Sequence, residues 1–289
     1  MTDLLKFLQN NGINIDSVEK MLEMKKLCIS WINLPNIPRE LGNLINLEEL
    51  FIVHTSLSTV NLSIGKLVNL KDLDFSFNRL TTLPLEICNL IKLEKLDLAG
   101  NNLTTLPLPI CNLTNLQSID LSNNKLTTLP SEIDNLFNLT ILDLSFNDLA
   151  TLPPEFYKLI NLEKLSLAGN KLFLFPTIGK LINLKYLDIH NNNLTFLPPE
   201  IGNLTKLEEL YLYDNPITTL PLGIDRLSKD LFLPHLHDSY DESVKCRKAV
   251  KIIERAWMTY DWVPNSEGIA RCAKRSFREL QESNPEIFS

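Results

Sequence analysis

Glycine is scarce in this chain, with 9 among 289 residues. Phosphate-cradling loops, dinucleotide-binding turns and nucleophile elbows all need glycine at fixed offsets, and none of those patterns occurs. Cysteine is few and odd in number: Cys28, Cys88, Cys111, Cys246 and Cys272. The five are scattered, so reduced thiols in a reducing compartment are expected rather than a disulfide framework. No stretch approaches the roughly 20 apolar residues that cross a bilayer. The opening segment has Asp3 where a secretory leader is basic, and its apolar run is short. A secretory route is therefore not expected. The expected location is the cytoplasm, of the producing cell or of a host cell if the protein is delivered. Sequons at Asn61, Asn102, Asn112, Asn138, Asn193 and Asn203 then follow from recurrent Asn-Leu-Thr wording rather than from glycosylation.

Clustered positive charge is missing from most of the chain. The net charge is −7, and residues 1–222 carry all of it, with 17 Lys+Arg against 24 Asp+Glu. Residues 223–289 hold 11 of each. An acidic surface argues against nucleic acid and against an anionic membrane surface, both of which require Lys and Arg clusters. A protein partner, one with a basic segment, fits better.

What the chain does have is a clock. Asn78, Asn101, Asn124, Asn147 and Asn170 are 23 residues apart, Asn192 follows after 22, and Asn215 after 23. Nine frames of the form L-x-x-L-x-L-x-x-N-x-L begin at Met24, Leu47, Leu70, Leu93, Leu116, Leu139, Leu162, Leu184 and Leu207. The first half of each alternates apolar and polar, as in Leu96-Asp97-Leu98, which predicts a short strand. The second half opens at proline, as at Pro84, Pro107, Pro130, Pro153, Pro198 and Pro221. Proline suits the first turn of a short helix or 3₁₀ segment. A fixed period of this length predicts a stacked array with a continuous core and a parallel sheet on its inner wall.

The pattern resembles the leucine-rich repeat family, in its 23-residue class with the L-P-x-x-I wording, over about residues 24–230. It is similar to intracellular Ras-group-related leucine-rich scaffolds and to bacterial and viral repeat proteins. The resemblance implies an α/β solenoid, a horseshoe whose concave sheet binds other proteins.

Three segments are expected. Residues 1–23 form a helical N-terminal cap, with Leu4, Leu5, Phe7 and Leu8 on one helix and Val18, Met21 and Leu22 turned inward on a second. Residues 24–230 form nine repeats. Residues 231–289 leave the period and form a C-terminal helical hairpin, with Val250, Ile253, Trp257 and Tyr260 on one face and Ile269, Ala273, Phe277 and Leu280 on the next. The departures within the array fit this division. Ile32 and Thr55 stand at the Asn position of the first two frames, as expected of end repeats, and Val60-Asn61 replaces Leu-Pro in one return. The residue lost before Asn192 falls in the return Phe175-Pro176-Thr177-Ile178, where strand register is unaffected.

The asparagines Asn78, Asn101, Asn124, Asn147, Asn170, Asn192 and Asn215 are expected to form a structural ladder, because buried amides must be paired and the turn after each strand exposes backbone groups. Function is expected at the positions between the strand leucines, because those positions point out of the concave wall while the leucines point inward. One column there contains Phe51, Asp74, Asp97, Asp120, Asp143, Asp188 and Tyr211, and its neighbour contains Tyr186. Rim positions before the asparagines add Trp31, His54, Phe77 and Phe146, and Tyr213 joins the tyrosines near the end. Leu-Asp-Leu is the family's default wording, so the aspartates are open to a purely structural role. The aromatics Phe77, Phe146, Tyr211 and Tyr213 carry more weight as contact anchors.

Non-catalytic protein recognition is therefore expected, with no enzyme activity, no cofactor and no metal. A flat carboxylate row offers calcium too few converging oxygens. His235, His237 and Asp238 are read as a polar linker. Cys246 and Cys272 have basic neighbours, but the tail has neither the large catalytic domain nor the Cys-x-Asp signature of leucine-rich ubiquitin-ligase effectors, so a Cys-dependent enzyme is disfavoured, as is an extracellular receptor module. An adaptor or delivered effector that links a host enzyme to a target through its basic C-terminal helices is the alternative. The oligomeric expectation is a monomer or weak self-association.

Overall fold

The computed structural model describes residues 2–10, 12–13, 15–218 and 221–227. The expected C-terminal helices, with His235, His237, Cys246 and Cys272, lie outside the described residues.

Nine strands form one parallel sheet in chain order: β1 (Lys26–Ser30), β2 (Glu49–Val53), β3 (Asp72–Asp74), β4 (Lys95–Asp97), β5 (Ser118–Asp120), β6 (Ile141–Asp143), β7 (Lys164–Ser166), β8 (Tyr186–Asp188) and β9 (Glu209–Tyr211). Short 3₁₀ segments return the chain between them, as at Leu85–Asn89 and Ser131–Asn135. This is the stacked parallel sheet that the period predicted and the solenoid horseshoe that the resemblance implied. Every strand pairs with its frame-equivalent, so Asp97 aligns with Asp120 and Asp120 with Asp143. The leucines close a single core along the coil, and Leu50, Leu73, Leu142, Leu165 and Leu187 sit wholly or almost wholly out of solvent.

The prolines act one residue earlier than the first-turn reading. Pro84, Pro107, Pro130, Pro153, Pro198 and Pro221 stand at the cap position before each 3₁₀ segment, with extended ψ of 129–154°. Their ring fixes φ for entry into the turn, and their missing N–H falls where no helical partner exists. Asn61 takes over this post in the second repeat and caps Ser63 N with its own side chain at 2.9 Å.

The N-terminal cap is helical as expected, with α1 (Thr2–Asn10) and α2 (Val18–Leu22). Leu4, Leu8 and Met21 close the end of the core, whereas Leu22 is turned out to solvent, because α2 is a bare turn and a half with room for one inward apolar residue per turn.

The missing residue before Asn192 shortens the return to Ile178–Lys180 and leaves the β7–β8 register intact. Three buried aromatics gather there: Phe156, Tyr157 and Phe175, packed edge-on at centroid distances of 5.7 and 6.2 Å. Large side chains fill what a shorter backbone would leave empty.

Candidate functional site

The concave wall is a grid of nine rows, one per strand, and four outward columns set by the registers and the turn that follows. The ladder asparagines fix this grid from behind. Asn124 is typical: its Nδ2 donates to Leu121 O, Ser122 O and, in the previous repeat, Leu98 O at 2.9–3.2 Å, and its Oδ1 accepts from Leu103 N at 3.0 Å. Asn78, Asn101, Asn147, Asn170, Asn192 and Asn215 repeat the arrangement. At the start of the array Thr55, fully buried, donates its hydroxyl to Asn78 Oδ1 at 2.9 Å. With every donor and acceptor used inward, these amides have nothing left for a partner.

A second ladder escaped the sequence reading. Asn46, Asn69, Asn115, Asn138, Asn161 and Asn183, just before the strands, each donate to a carbonyl of the preceding repeat, or for Asn46 to Leu22 O of the cap, at 2.8–2.9 Å. Where lysine replaces asparagine, Lys92 and Lys206 reach back to Asn69 and Asn183 instead. The 23-residue recurrence of Leu-x-Asn-Leu was the available signal.

The aspartate column has a structural role on one oxygen. Oδ1 of Asp74, Asp97, Asp120, Asp143 and Asp188 each accepts the backbone N–H two residues on, at 2.8–3.1 Å. These bonds finish each strand where the ladder bonds stop. Crowding perturbs the row. Burial, with the Asp74 and Asp120 charges on either side, pushes the Asp97 carboxyl up to about 6. Burial likewise raises Asp143 and Asp72. Asp188 is buried rather than solvated, and it pairs with His190 Nδ1 at 2.7 Å.

The rim column is backbone-strained. Trp31, His54, Phe77, Asn123, Phe146, Asn191 and Asp214 all hold φ between 51 and 60°, and Gly100 and Gly169 occupy the equivalent places. The chain must turn left-handed there to aim the next asparagine inward. Glycine and asparagine take this conformation at little cost, and bulky residues do not. Aromatic rings nevertheless occupy four of the nine places and remain visible to solvent, with Trp31 77%, Phe77 52% and Phe146 47% exposed. Trp31, His54 and Phe77 stack face to face at 4.2 and 4.4 Å.

Towards the other end, Tyr186 and Tyr211 lie 5.4 Å apart, and Tyr211 donates its hydroxyl to Glu209 at 2.7 Å. Tyr213 stacks instead on His190 at 4.4 Å, and His190 meets the edge of Phe146 at 6.3 Å. At the first rows Phe51 lies under the Lys26 ammonium at 4.6 Å. The fold therefore brings the expected residues into three groups: a ring stack at rows one to three, a carboxylate row at three to six, and an aromatic cluster at six to nine. His190 was missed, although it holds the same place in its frame as the expected Tyr213, two residues beyond the strand.

The matched families are described as leucine-rich repeats: residues 69–90, then 92–149 and 114–172, then 182–223 as two copies. The chain belongs to the leucine-rich repeat family. Among solved structures, a leucine-rich repeat protein of Leptospira interrogans shares 33% identity at a TM-score of 0.55, over 70% of this chain and 63% of that one. The leucine-rich repeat domain of the type III effector XopL shares 26% at a TM-score of 0.66, over 82% and 90%. The leucine-rich repeat ectodomain of the Arabidopsis thaliana receptor kinase GASSHO1/SCHENGEN3, solved in complex with CASPARIAN STRIP INTEGRITY FACTOR 2, shares 27% at 0.59, over 73% and 29%. The chain thus spans less than two thirds of the Leptospira protein it matches. No curated protein matches it in sequence.

Leucine-rich repeat domains are in general protein–protein interaction modules, and the wall of this one is a broad surface rather than a closed pocket. Among the described residues, no group of three His, Cys, Asp or Glu side chains could hold a metal ion, and no helix is long and apolar enough to cross a membrane.

Proposed function

We propose that this leucine-rich repeat protein is a non-catalytic recognition module that binds a partner protein across its concave face. The observation that carries the reading is the rim column. Aromatic residues at left-handed backbone positions cost stability of about 1–2 kcal/mol each relative to glycine, and strain of this kind concentrates at functional sites. Trp31, Phe77 and Phe146 meet that cost while leaving large apolar surface exposed. The carboxylate row between the ring groups favours a partner with a basic segment, through steering and selectivity.

The partner's identity is open to a direct measurement. Immobilised full chain and its Trp31→Ala/Phe77→Ala variant are compared for the proteins each retains from the lysate of the source cells, with equal folding checked by circular dichroism. Loss of at least one retained protein with the variant is expected. Retention of the same set by both would overturn the reading.

Location in a reducing compartment belongs to the same proposal and is supported by the free thiols of Cys28, Cys88 and Cys111. A second reading, an adaptor or delivered effector, is favoured by the likeness to the XopL domain, 90% of which is covered. Its test is a partner that is retained by residues 1–227 only when residues 228–289 are present.

A further inference from the structure

Row seven interrupts the wall. Its outward residues after Lys164 are Ser166, Ala168 and Gly169, all small, while row six carries Asp143 and Phe146 and row eight carries Asp188 and His190. The result is an open notch of about 360 Å³ in which Ser166 lies between the two acids, while Ala168 beside it is buried. Its two ring walls are held in place: Phe146 is held at φ 53° over Gly169, and His190 is fixed by the contact of its Nδ1 with Asp188 Oδ1 at 2.7 Å and by the Tyr213 ring at 4.4 Å.

We infer that this notch takes one arginine side chain of an extended partner segment crossing the concave face. The inference rests on concave-face recognition and names its chemistry. Two carboxylates flank Ser166 from opposite sides. Their strands are two apart, so their backbones lie about 10 Å from each other, from the spacing of sheet strands. A guanidinium has donors on opposite edges and spans such a gap, whereas an ammonium is a compact point that reaches one wall.

Each carboxylate keeps bonding capacity. Asp143 Oδ1 accepts from Ser145 N and Oγ at 2.8 and 2.6 Å, which leaves Oδ2 to a partner. Asp188 Oδ1 is engaged by His190, and its Oδ2 meets the Tyr186 hydroxyl only at 3.3 Å. The rings of Phe146 and His190 meet edge to face at 6.3 Å and wall off the Ala168 side, so the guanidinium lies over Ser166 and its aliphatic stem packs against the outer flank of the rings. Lys164 closes the opposite end with a like charge, which limits the notch to a single cation and directs the stem away from it.

The test uses the full chain and a phage-displayed library of random 12-residue peptides selected on the wild type. Enriched peptides are synthesised, and their arginines are replaced by lysine or citrulline. Binding is measured by fluorescence polarisation to the wild type, to Asp143→Asn/Asp188→Asn, and to Ser166→Leu, which fills the notch and keeps both acids. Asparagine retains the Oδ1 acceptor that ends each strand, so the double variant keeps the backbone bonds.

One arginine common to the peptides is expected, with binding weakened at least 10-fold by citrulline and by either variant, and weakened less by lysine. Lys164→Glu is expected to tighten binding several-fold. Peptides that are lost with Tyr211→Ala/Tyr213→Ala but have no such arginine, or tolerate both notch variants, overturn the arginine notch and leave concave-face recognition standing. Enriched peptides insensitive to every concave-face change overturn both.

Discussion

The ring of Phe146 lies against the backbone of Gly169 one repeat later, so that a Cβ built on Gly169 would stand 2.5 Å from Phe146 Cδ1. Phe77 and Gly100 repeat the relationship at 2.8 Å. Gly169 also holds φ at 63°, which glycine adopts freely and alanine does not. Gly169→Ala is therefore expected to destabilise by about 1–3 kcal/mol, from backbone strain and ring displacement together. In a Phe146→Ala background the ring part of that penalty disappears. Urea denaturation of the four proteins measures it, and equal penalties in both backgrounds would remove the ring–glycine coupling.

Asn124 holds four hydrogen bonds across two repeats, all buried. Asn124→Ala leaves several backbone groups unpaired inside the coil and is expected to cost about 1–3 kcal/mol. Asn138, in the exposed second ladder, has one bond to Thr114 O. Its alanine variant is expected to cost about 1 kcal/mol or less, because water replaces the lost donor. An unchanged denaturation midpoint for Asn124→Ala would contradict the structural role of the inner ladder.

Asp97 gives the wall a pH dependence. Its folded carboxyl is raised to about 6 by burial and by the adjacent carboxylates, against an ordinary value of 3.8. The folded state therefore holds its proton more tightly than the unfolded chain. Stability contributed by this group is full below about pH 4, falls as pH rises towards 6, and is flat above. Asp97→Asn keeps the acceptor for Ala99 N and removes the charge. It is expected to stabilise by about 1–2 kcal/mol at pH 7, after allowance for solvent screening, and to add nothing at pH 4. Thermal midpoints across that range check it; a gain at pH 4 equal to that at pH 7 would rule out the ionisation argument.

The described thiols should differ in reactivity. Burial pushes Cys88 up to about 11 and Cys111 up to about 12, whereas Cys28 is exposed on β1. Thiolate is the reacting species, so Cys28 is expected to alkylate first at pH 8 under native conditions, with Cys111 slowest by at least tenfold. Peptide mass spectrometry after timed iodoacetamide treatment reads the order, and comparable native rates for Cys111 and Cys28 would refute it.

The array itself was legible in the chain because each repeat contacts only its neighbours, so local spacing determines the architecture. The leucine period placed the strands, the asparagine period placed the turns, and the 22-residue step fell in a return as its wording implied. Leu22 and the prolines departed from the reading by single positions, where one turn of helix or one cap residue decides which way a side chain faces.

The site was legible in part. Column membership followed from alternation alone. Which rings meet did not: Tyr213 leaves the other tyrosines for His190, and Phe146 reaches His190 only because Ala168 between them is small. The sequence alone determined the repeat, its register and the identity of every outward residue. Only the tertiary structure decided which Asp oxygens the strand ends consume and where small residues open the wall. Those outcomes depend on side chains in three successive repeats at once, a coupling that no single period encodes.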